Sequence, residues 1–301
     1  MIEIKGIIPA MVTPFDENEE LNEEALRRLT NYLIEGGAHG LFATGSQGEF
    51  FALTSEEKRK VWQIVVEETK GRVPVYAGTG AITTREVIEL NKMAEEAGVD
   101  AVSIITPCFI NPTQDELYEH YAAIAEETKL PIILYGNPAR TGGLGLSVDL
   151  VRRLARIENI RGIKDSSGDL TLTTEYIRQV RGETPDFACL MGRDTLIYGA
   201  LEYGAQGAIA ATGNVCPKVV VEIYEAFIAG DRERARAAQY RLAPLRIAFG
   251  YGTFPVVVKE ALKLVGIDAG PCRRPVGTMP EGKREELKRI VESLGVLGAA
   301  A

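Results

Sequence analysis

Histidine and cysteine are scarce in this 301-residue chain, and their scarcity removes several chemistries at once. The two histidines, His39 and His120, fall in a helix-to-strand loop and in a helix. They are too few for a His-rich metal site and badly placed for a Ser-His-Asp triad. The four cysteines, Cys108, Cys189, Cys216 and Cys272, are scattered with no C-x-x-C spacing. They read as reduced packing residues of a cytosolic protein, neither a disulfide framework nor a zinc site. The net charge is −8 and there is no Lys/Arg-rich stripe, which argues against nucleic acid or an anionic membrane surface as a partner. No Walker-type or G-x-G-x-x-G turn follows an apolar run, so nucleotide cofactors are not expected. No apolar run approaches the roughly 18 residues of a membrane span. The opening MIEIKGIIPAMVTPF also lacks the charged and apolar regions of a signal peptide. A cytoplasmic protein is expected.

What the chain does contain is a rhythm. Short runs rich in Ile, Val and Ala recur at Ile7–Met11, Gly40–Ala43, Val73–Ala77, Ala101–Ile105, Ile132–Tyr135, Ile160–Lys164, Ala188–Gly192 and Gly207–Ala210. Amphipathic helical stretches separate them, among them Asn22–Glu35, Ser55–Thr69, Thr84–Glu96 and Gln114–Thr128. Asn22, Ser55 and Thr84 are the expected N-caps, and Lys58 three residues after Ser55 leaves that capping box incomplete. Strands covered on both faces read as continuous apolar runs. Eight of them alternating with helices predict an α/β fold, a (β/α)₈ TIM barrel, over the open doubly wound sheet. After Gly213 the strand pattern stops, and Pro217–Ala229, Arg232–Arg246, Val256–Val265 and Pro280–Leu294 read as helices. Residues 1–215 are therefore expected to be the barrel core. Residues 216–301 would be its last helix plus a C-terminal helical appendage, within one structural unit.

In such a barrel the chemistry lies where strands end at their C-terminal side. The second run ends in Gly45-Ser46-Gln47-Gly48-Glu49, the fifth in Tyr135-Gly136-Asn137-Pro138-Ala139-Arg140-Thr141-Gly142, and the sixth in Lys164-Asp165. Lys164 closes an apolar run although lysine is rarely buried. A desolvated amine is disfavoured as ammonium and, once neutral, can attack a ketone. The bland alternative is a lysine paired with Asp165 or reaching solvent. Tyr135 ends the adjacent strand, where a phenol can relay protons or simply plug the barrel mouth. The Ser46-Gln47 turn can form a carboxylate nest, although glycine-rich turns are common. Arg140 can grip a second carboxylate, although by itself it reads as a surface arginine. Asp165, Asp169 and Asp194 near strand ends leave room for a loosely bound Mg²⁺.

Taken together, Gly45-Ser46-Gln47-Gly48-Glu49, the Tyr135–Gly142 segment and Gly162-Ile163-Lys164-Asp165 resemble the dihydrodipicolinate synthase / N-acetylneuraminate lyase family. The resemblance runs from Gly6-Ile7-Ile8-Pro9 to the C-terminal helices. It implies a class I lyase in which pyruvate is held as an imine on Lys164, with no metal and no cofactor. Catalysis would involve Lys164, Tyr135 and Ser46. Ser46 and Gln47 would hold the pyruvate carboxylate, Gly192 and the Ile209 carbonyl would line the same pocket, and Arg140 would receive the second substrate's carboxylate. It also implies a homotetramer of tight dimers in which the aromatic loop after the fourth strand, at Phe109, reaches into the neighbouring subunit's site.

Within that family the chain is mixed. Arg140 suits the synthases that join pyruvate to aspartate semialdehyde, the leading reaction. Ser46-Gln47 stands where those enzymes carry a threonine pair, and Phe109 where they carry a relay tyrosine. Those departures, with Gly270-Pro271-Cys272-Arg273, are similar to 4-hydroxy-2-oxoglutarate and 2-keto-3-deoxy-acid aldolases or dehydratases. A barrel that binds a keto acid without turnover is the remaining alternative. Phe50, Phe51, Ser55, Lys58 and Ile82 occupy positions where a lysine-regulated synthase would carry polar and histidine ligands. Only Glu86 is retained, so no feedback by lysine is expected.

Overall fold

A computed structural model describes residues 2–300 of the chain. Eight strands form its centre: β1 (Gly6–Pro9), β2 (Leu41–Ala43), β3 (Val75–Gly78), β4 (Ala101–Ile105), β5 (Ile132–Gly136), β6 (Ile160–Asp165), β7 (Ala188–Met191) and β8 (Gly207–Ala210). Each pairs in parallel with its neighbours in the order β1-β8-β7-β6-β5-β4-β3-β2. A parallel bridge from Ala10 to Phe42 joins the two ends. The sheet is thus a (β/α)₈ barrel, as expected, and every apolar run singled out in the sequence is one of its strands.

Two hydrophobic layers hold it. Ile8, Ala10, Phe42, Tyr76, Ala101, Ile133, Ala188, Leu190 and Ile209 fill the barrel interior. The opposite strand faces, with Ile7, Leu41, Val102, Leu134 and Ile163, pack on the surrounding helices. This two-sided burial is why the strands lack polar alternation.

The helices follow the strands: α1 (Glu23–Glu35), α2 (Ser55–Thr69), α3 (Thr84–Glu96), α4 (Gln114–Glu126) and α5 (Val148–Leu154). Next come α6 (Leu170–Glu175), which continues through a π-turn at Tyr176–Val180 into α7 (Arg181–Glu183), and α8 (Ile197–Glu202). Four more follow β8: α9 (Pro217–Ile228), α10 (Arg232–Ala248), α11 (Val256–Val265) and α12 (Arg284–Ser293). Helix α9 lies against β1 and α10, while α10 to α12 pack together beside the barrel. None of the helices among the described residues is long and apolar enough to cross a membrane.

Two helix starts differ from expectation by one residue. Thr54, not Ser55, caps α2: its hydroxyl accepts from the Glu57 N–H, and Glu57 accepts from the Thr54 N–H at 2.8 Å, a complete capping box. Thr83, not Thr84, caps α3. In both cases the earlier threonine keeps the extended backbone that a cap requires, and the second hydroxyl residue is already in the first turn. Asn22 caps α1 as expected, accepting from the Ala25 N–H at 3.0 Å.

Candidate active site

Strand register brings the central pair together. Tyr135 on β5 lies opposite Lys164 on β6, and Ile105 on β4 lies opposite Tyr135. Residues at or one before the ends of three neighbouring strands therefore share one level at the C-terminal mouth, where a cavity of about 270 Å³ opens. Its walls include Ser46, Gln47, Tyr135, Arg140, Lys164, Gly192 and Ile209, which is every expected site residue except Phe109.

Lys164 is 4% exposed. Its Nζ lies 4.1 Å from the ring centre of Tyr135 and 4.9 Å from that of Phe42. Asp165 does not neutralise it, contrary to the bland alternative. That carboxylate accepts from the Ser167 N–H at 2.9 Å and the Thr173 hydroxyl at 2.6 Å, and so is engaged by the following loop and by α6. Lys164 has no ion-pair partner among the described residues. An amine between aromatic faces, without a carboxylate, is free to form a covalent bond with a carbonyl.

The Tyr135 phenol is the hub of a small polar network. Ser46 Oγ lies 3.4 Å from its oxygen, and the Asn137 amide donates to it at 3.0 Å. Burial pushes the phenol up, but the Lys164 ammonium and the hydrogen bonds of Ser46, Asn137 and Ser166 outweigh it and hold the group below the ordinary tyrosine value. A phenol so poised can give and retake a proton beside the amine.

The Ser46 turn is shaped by strained backbone. Thr44 and Glu49 both have left-handed conformations, with φ of 51° and 54°. Such conformations persist only where neighbours over-determine them. Thr44 Oγ1 donates to the Gly78 carbonyl at 3.1 Å and accepts from Trp62 Nε1 at 2.6 Å. Glu49 is fully buried and pairs with Lys259 of α11 at 2.7 Å. Its other oxygen accepts from the Arg273 N–H at 3.0 Å. Arg273 also reaches the Ala52 carbonyl and the Glu57 carboxylate, both at 2.8 Å. Between these clamps the N–H groups of Ser46 and Gln47 donate to no described residue, and both residues line the cavity, where free N–H groups can serve a carboxylate. The Gln47 amide oxygen is likewise buried without a partner. Gly192 is required by close approach: a Cβ there would stand 2.0 Å from Ser166 Oγ.

Phe109 is placed elsewhere. It has φ 74°, is 95% exposed, and points out of its own chain's cavity. Of the other residues considered for a cation, Asp169 caps α6 and Asp194 accepts from the Thr212 N–H and hydroxyl. No group of three or more His, Cys, Asp or Glu suited to a metal ion occurs among the described residues. Sequence reasoning missed Asn137, Arg193, Arg246 and Lys259. Asn137 sat inside a segment already singled out. Arg246 and Lys259 lie on appendage helices with no local sign of where they point.

Residues 3–294 match the sequence model of the Dihydrodipicolinate synthetase family. The chain belongs to that family. It is 42% identical over 298 residues to the 4-hydroxy-tetrahydrodipicolinate synthase of Methanopyrus kandleri, covering 98% of each chain. With the Archaeoglobus fulgidus protein of the same name it is 41% identical, over 97% of this chain and 99% of that one. A solved dihydrodipicolinate synthase of Bacillus anthracis superimposes with a TM-score of 0.93 at 39% identity, covering 97% of this chain and 99% of that chain. A prophage protein of the family from E. coli K12, solved in complex with pyruvate, gives 0.94 at 33%, over 98% and 100%. Like the rest of the family, the chain is a lyase of the class I, Schiff-base type.

Proposed function

We propose that the enzyme condenses pyruvate with an aldehyde through an imine on Lys164, aspartate semialdehyde being the leading second substrate. The observation that carries this reading is the buried, carboxylate-free Lys164 amine beside the Tyr135–Ser46 pair. Lys164 Nζ adds to the pyruvate C2 carbonyl, whose oxygen leaves as water. Loss of a C3 proton gives the enamine, and C3 then bonds to the aldehyde carbon while the aldehyde oxygen takes up a proton. Attack by water, or by the amino group of an amino aldehyde, on the imine carbon frees the lysine. Tyr135 moves the protons, with Ser46 and Asn137 holding its hydroxyl. The Ser46 and Gln47 N–H groups bind the pyruvate carboxylate, Gly192 and the Ile209 carbonyl complete that end of the pocket, and Arg140 takes the acid group of the second substrate. The imine itself is the electron sink, so this chemistry needs neither metal nor organic cofactor.

A second reading, cleavage of 4-hydroxy-2-oxo or 2-keto-3-deoxy acids, keeps the same imine. It is favoured by Phe109, which brings no hydroxyl to a relay. Phe51, Ile82, Phe109 and Ile110 are exposed apolar side chains that a second copy of the chain would cover, in line with a homotetramer; the enzyme would work in the cytoplasm.

Borohydride trapping tests the reading. With pyruvate present, mass spectrometry should find a pyruvyl adduct on Lys164 that is absent in Lys164→Ala. No adduct, or one that survives the substitution, refutes it.

A further inference from the structure

The charge balance of the cavity is lopsided. Arg140, Arg193 and Arg246 line it with Lys164, against one carboxylate, Asp194. Asp194 is a poor counter-ion, because one oxygen is committed to the Thr212 N–H at 2.7 Å and hydroxyl at 2.6 Å. Its other oxygen approaches Arg246 Nε only to 3.9 Å. The Arg246 side chain is 24% exposed. Burial lowers its guanidinium's affinity for the proton; Asp194 opposes this, and Arg193 and Arg140 add to it. Arg193 has no ion-pair partner among the described residues and lies over Gly168, where a Cβ would stand 3.0 Å from its nitrogen. The three guanidiniums come from three places: the loop after β5, the end of β7, and α10 of the appendage. This concentration of positive charge runs against a chain whose net charge is −8, and repelling cations held at a cavity mouth are stabilised by an anion between them.

We propose that Arg193 and Arg246 join Arg140 in an anion subsite that selects aldehydes bearing an acid group distal to the carbonyl, with Arg246 as the specificity-determining residue. The proposal rests on the imine reading and deepens it by naming the acceptor class. The Ser46 turn takes the pyruvate carboxylate, so the remaining cations face the second substrate. A distal carboxylate and a distal phosphate both present oxygens matched to a guanidinium fork. A neutral polyol aldehyde would leave the guanidiniums unpaired, and sites built for a polar group reject analogues lacking it strongly.

The test compares aspartate semialdehyde and succinic semialdehyde, glyceraldehyde 3-phosphate, and neutral glyceraldehyde, each with saturating pyruvate and the full chain. The acid-bearing aldehydes should exceed glyceraldehyde in kcat/KM by about a hundredfold or more. The carboxylate and phosphate arms identify which acid the site takes. Arg246→Gln should shrink that ratio at least about tenfold, mainly through KM, with Arg246→Lys recovering part of it. Calorimetry with succinate and with inorganic phosphate on the pyruvate-loaded protein gives a readout independent of turnover. Binding should be measurable in the parent and weakened in both Arg246→Gln and Arg193→Gln, the second covering a misfolded first. Equal use of glyceraldehyde, or anion binding unchanged in the folded variants, overturns the subsite even if the Lys164 adduct forms. Absence of the adduct with arginine-dependent anion binding intact would instead refute the imine reading alone.

Discussion

Lys259→Met should be among the most damaging single changes outside the proposed catalytic pair, and its size follows from geometry. Lys259 and Glu49 have side chains 2% and 0% exposed, with Nζ and Oε1 2.7 Å apart. At an effective dielectric near 20, two unit charges at that distance attract by about 6 kcal/mol before desolvation is subtracted. Lys259 also donates to the Pro271 carbonyl at 2.7 Å and lies 4.3 Å from the Phe15 ring centre. Methionine fills the volume but leaves the Glu49 carboxylate buried without its cation, met by weaker partners such as the Arg273 N–H. Removing one partner of a buried pair costs about 3–5 kcal/mol. The double variant Glu49→Gln/Lys259→Met removes both charges and should recover most of that loss, because the desolvation penalty goes with them. Chemical denaturation of the parent, both single variants and the double variant gives the coupling energy directly. Glu49 follows the Ser46-Gln47 turn, so the folded Lys259→Met protein should also show a raised KM for pyruvate. A single-variant loss below about 1 kcal/mol, or a double variant no more stable than the singles, would refute the argument that this pair locks the turn to the appendage.

Tyr135→Phe should lower kcat by about a hundredfold to a thousandfold while still permitting slow imine trapping. Its phenol is held below the ordinary tyrosine value, so the alkaline limb of parental kcat/KM should begin below pH 10 and disappear in the variant; a limb that persists would assign it to another group. His120 provides a stability test: burial lowers its imidazole to about 4, and Thr84 Oγ1 lies 2.9 Å from its ring. The unfolded chain then binds the extra proton between about pH 6.5 and 4, so stability is full above that window and falls through it by about 3 kcal/mol. Denaturation midpoints of His120→Gln should lose this slope, and an unchanged slope would exclude His120 as its source. Free lysine at millimolar concentration should not inhibit. Phe50, Phe51, Lys58, Ile82 and Glu86 line one cavity of about 580 Å³, in which the Lys58 cation stands against the ligand's own ammonium groups; a titration with clear inhibition would refute this.

Much of the site was legible locally. Lys164 and Tyr135 are the last or nearly the last residues of apolar runs, and a parallel barrel brings all such positions to one mouth, so their meeting follows from strand periodicity alone. The Ser46-Gln47 turn was legible for the same reason. The cap positions slipped by one because Thr54-Ser55 and Thr83-Thr84 each offer two hydroxyl residues, and only backbone conformation chooses between them.

The chain's sequence by itself determined the eight-stranded parallel barrel, the run of helices after β8 and the identity of the amine at the cavity floor. These depend on hydrophobic period and strand length, which are local properties. Tertiary structure alone decided that Arg193 and Arg246 converge on Arg140, that Lys259 neutralises Glu49, and that Phe109 leaves its own cavity. Each depends on where a distant helix or loop crosses the barrel mouth. Charge pairing acts through space between residues far apart in the chain, so no spacing within the sequence records it.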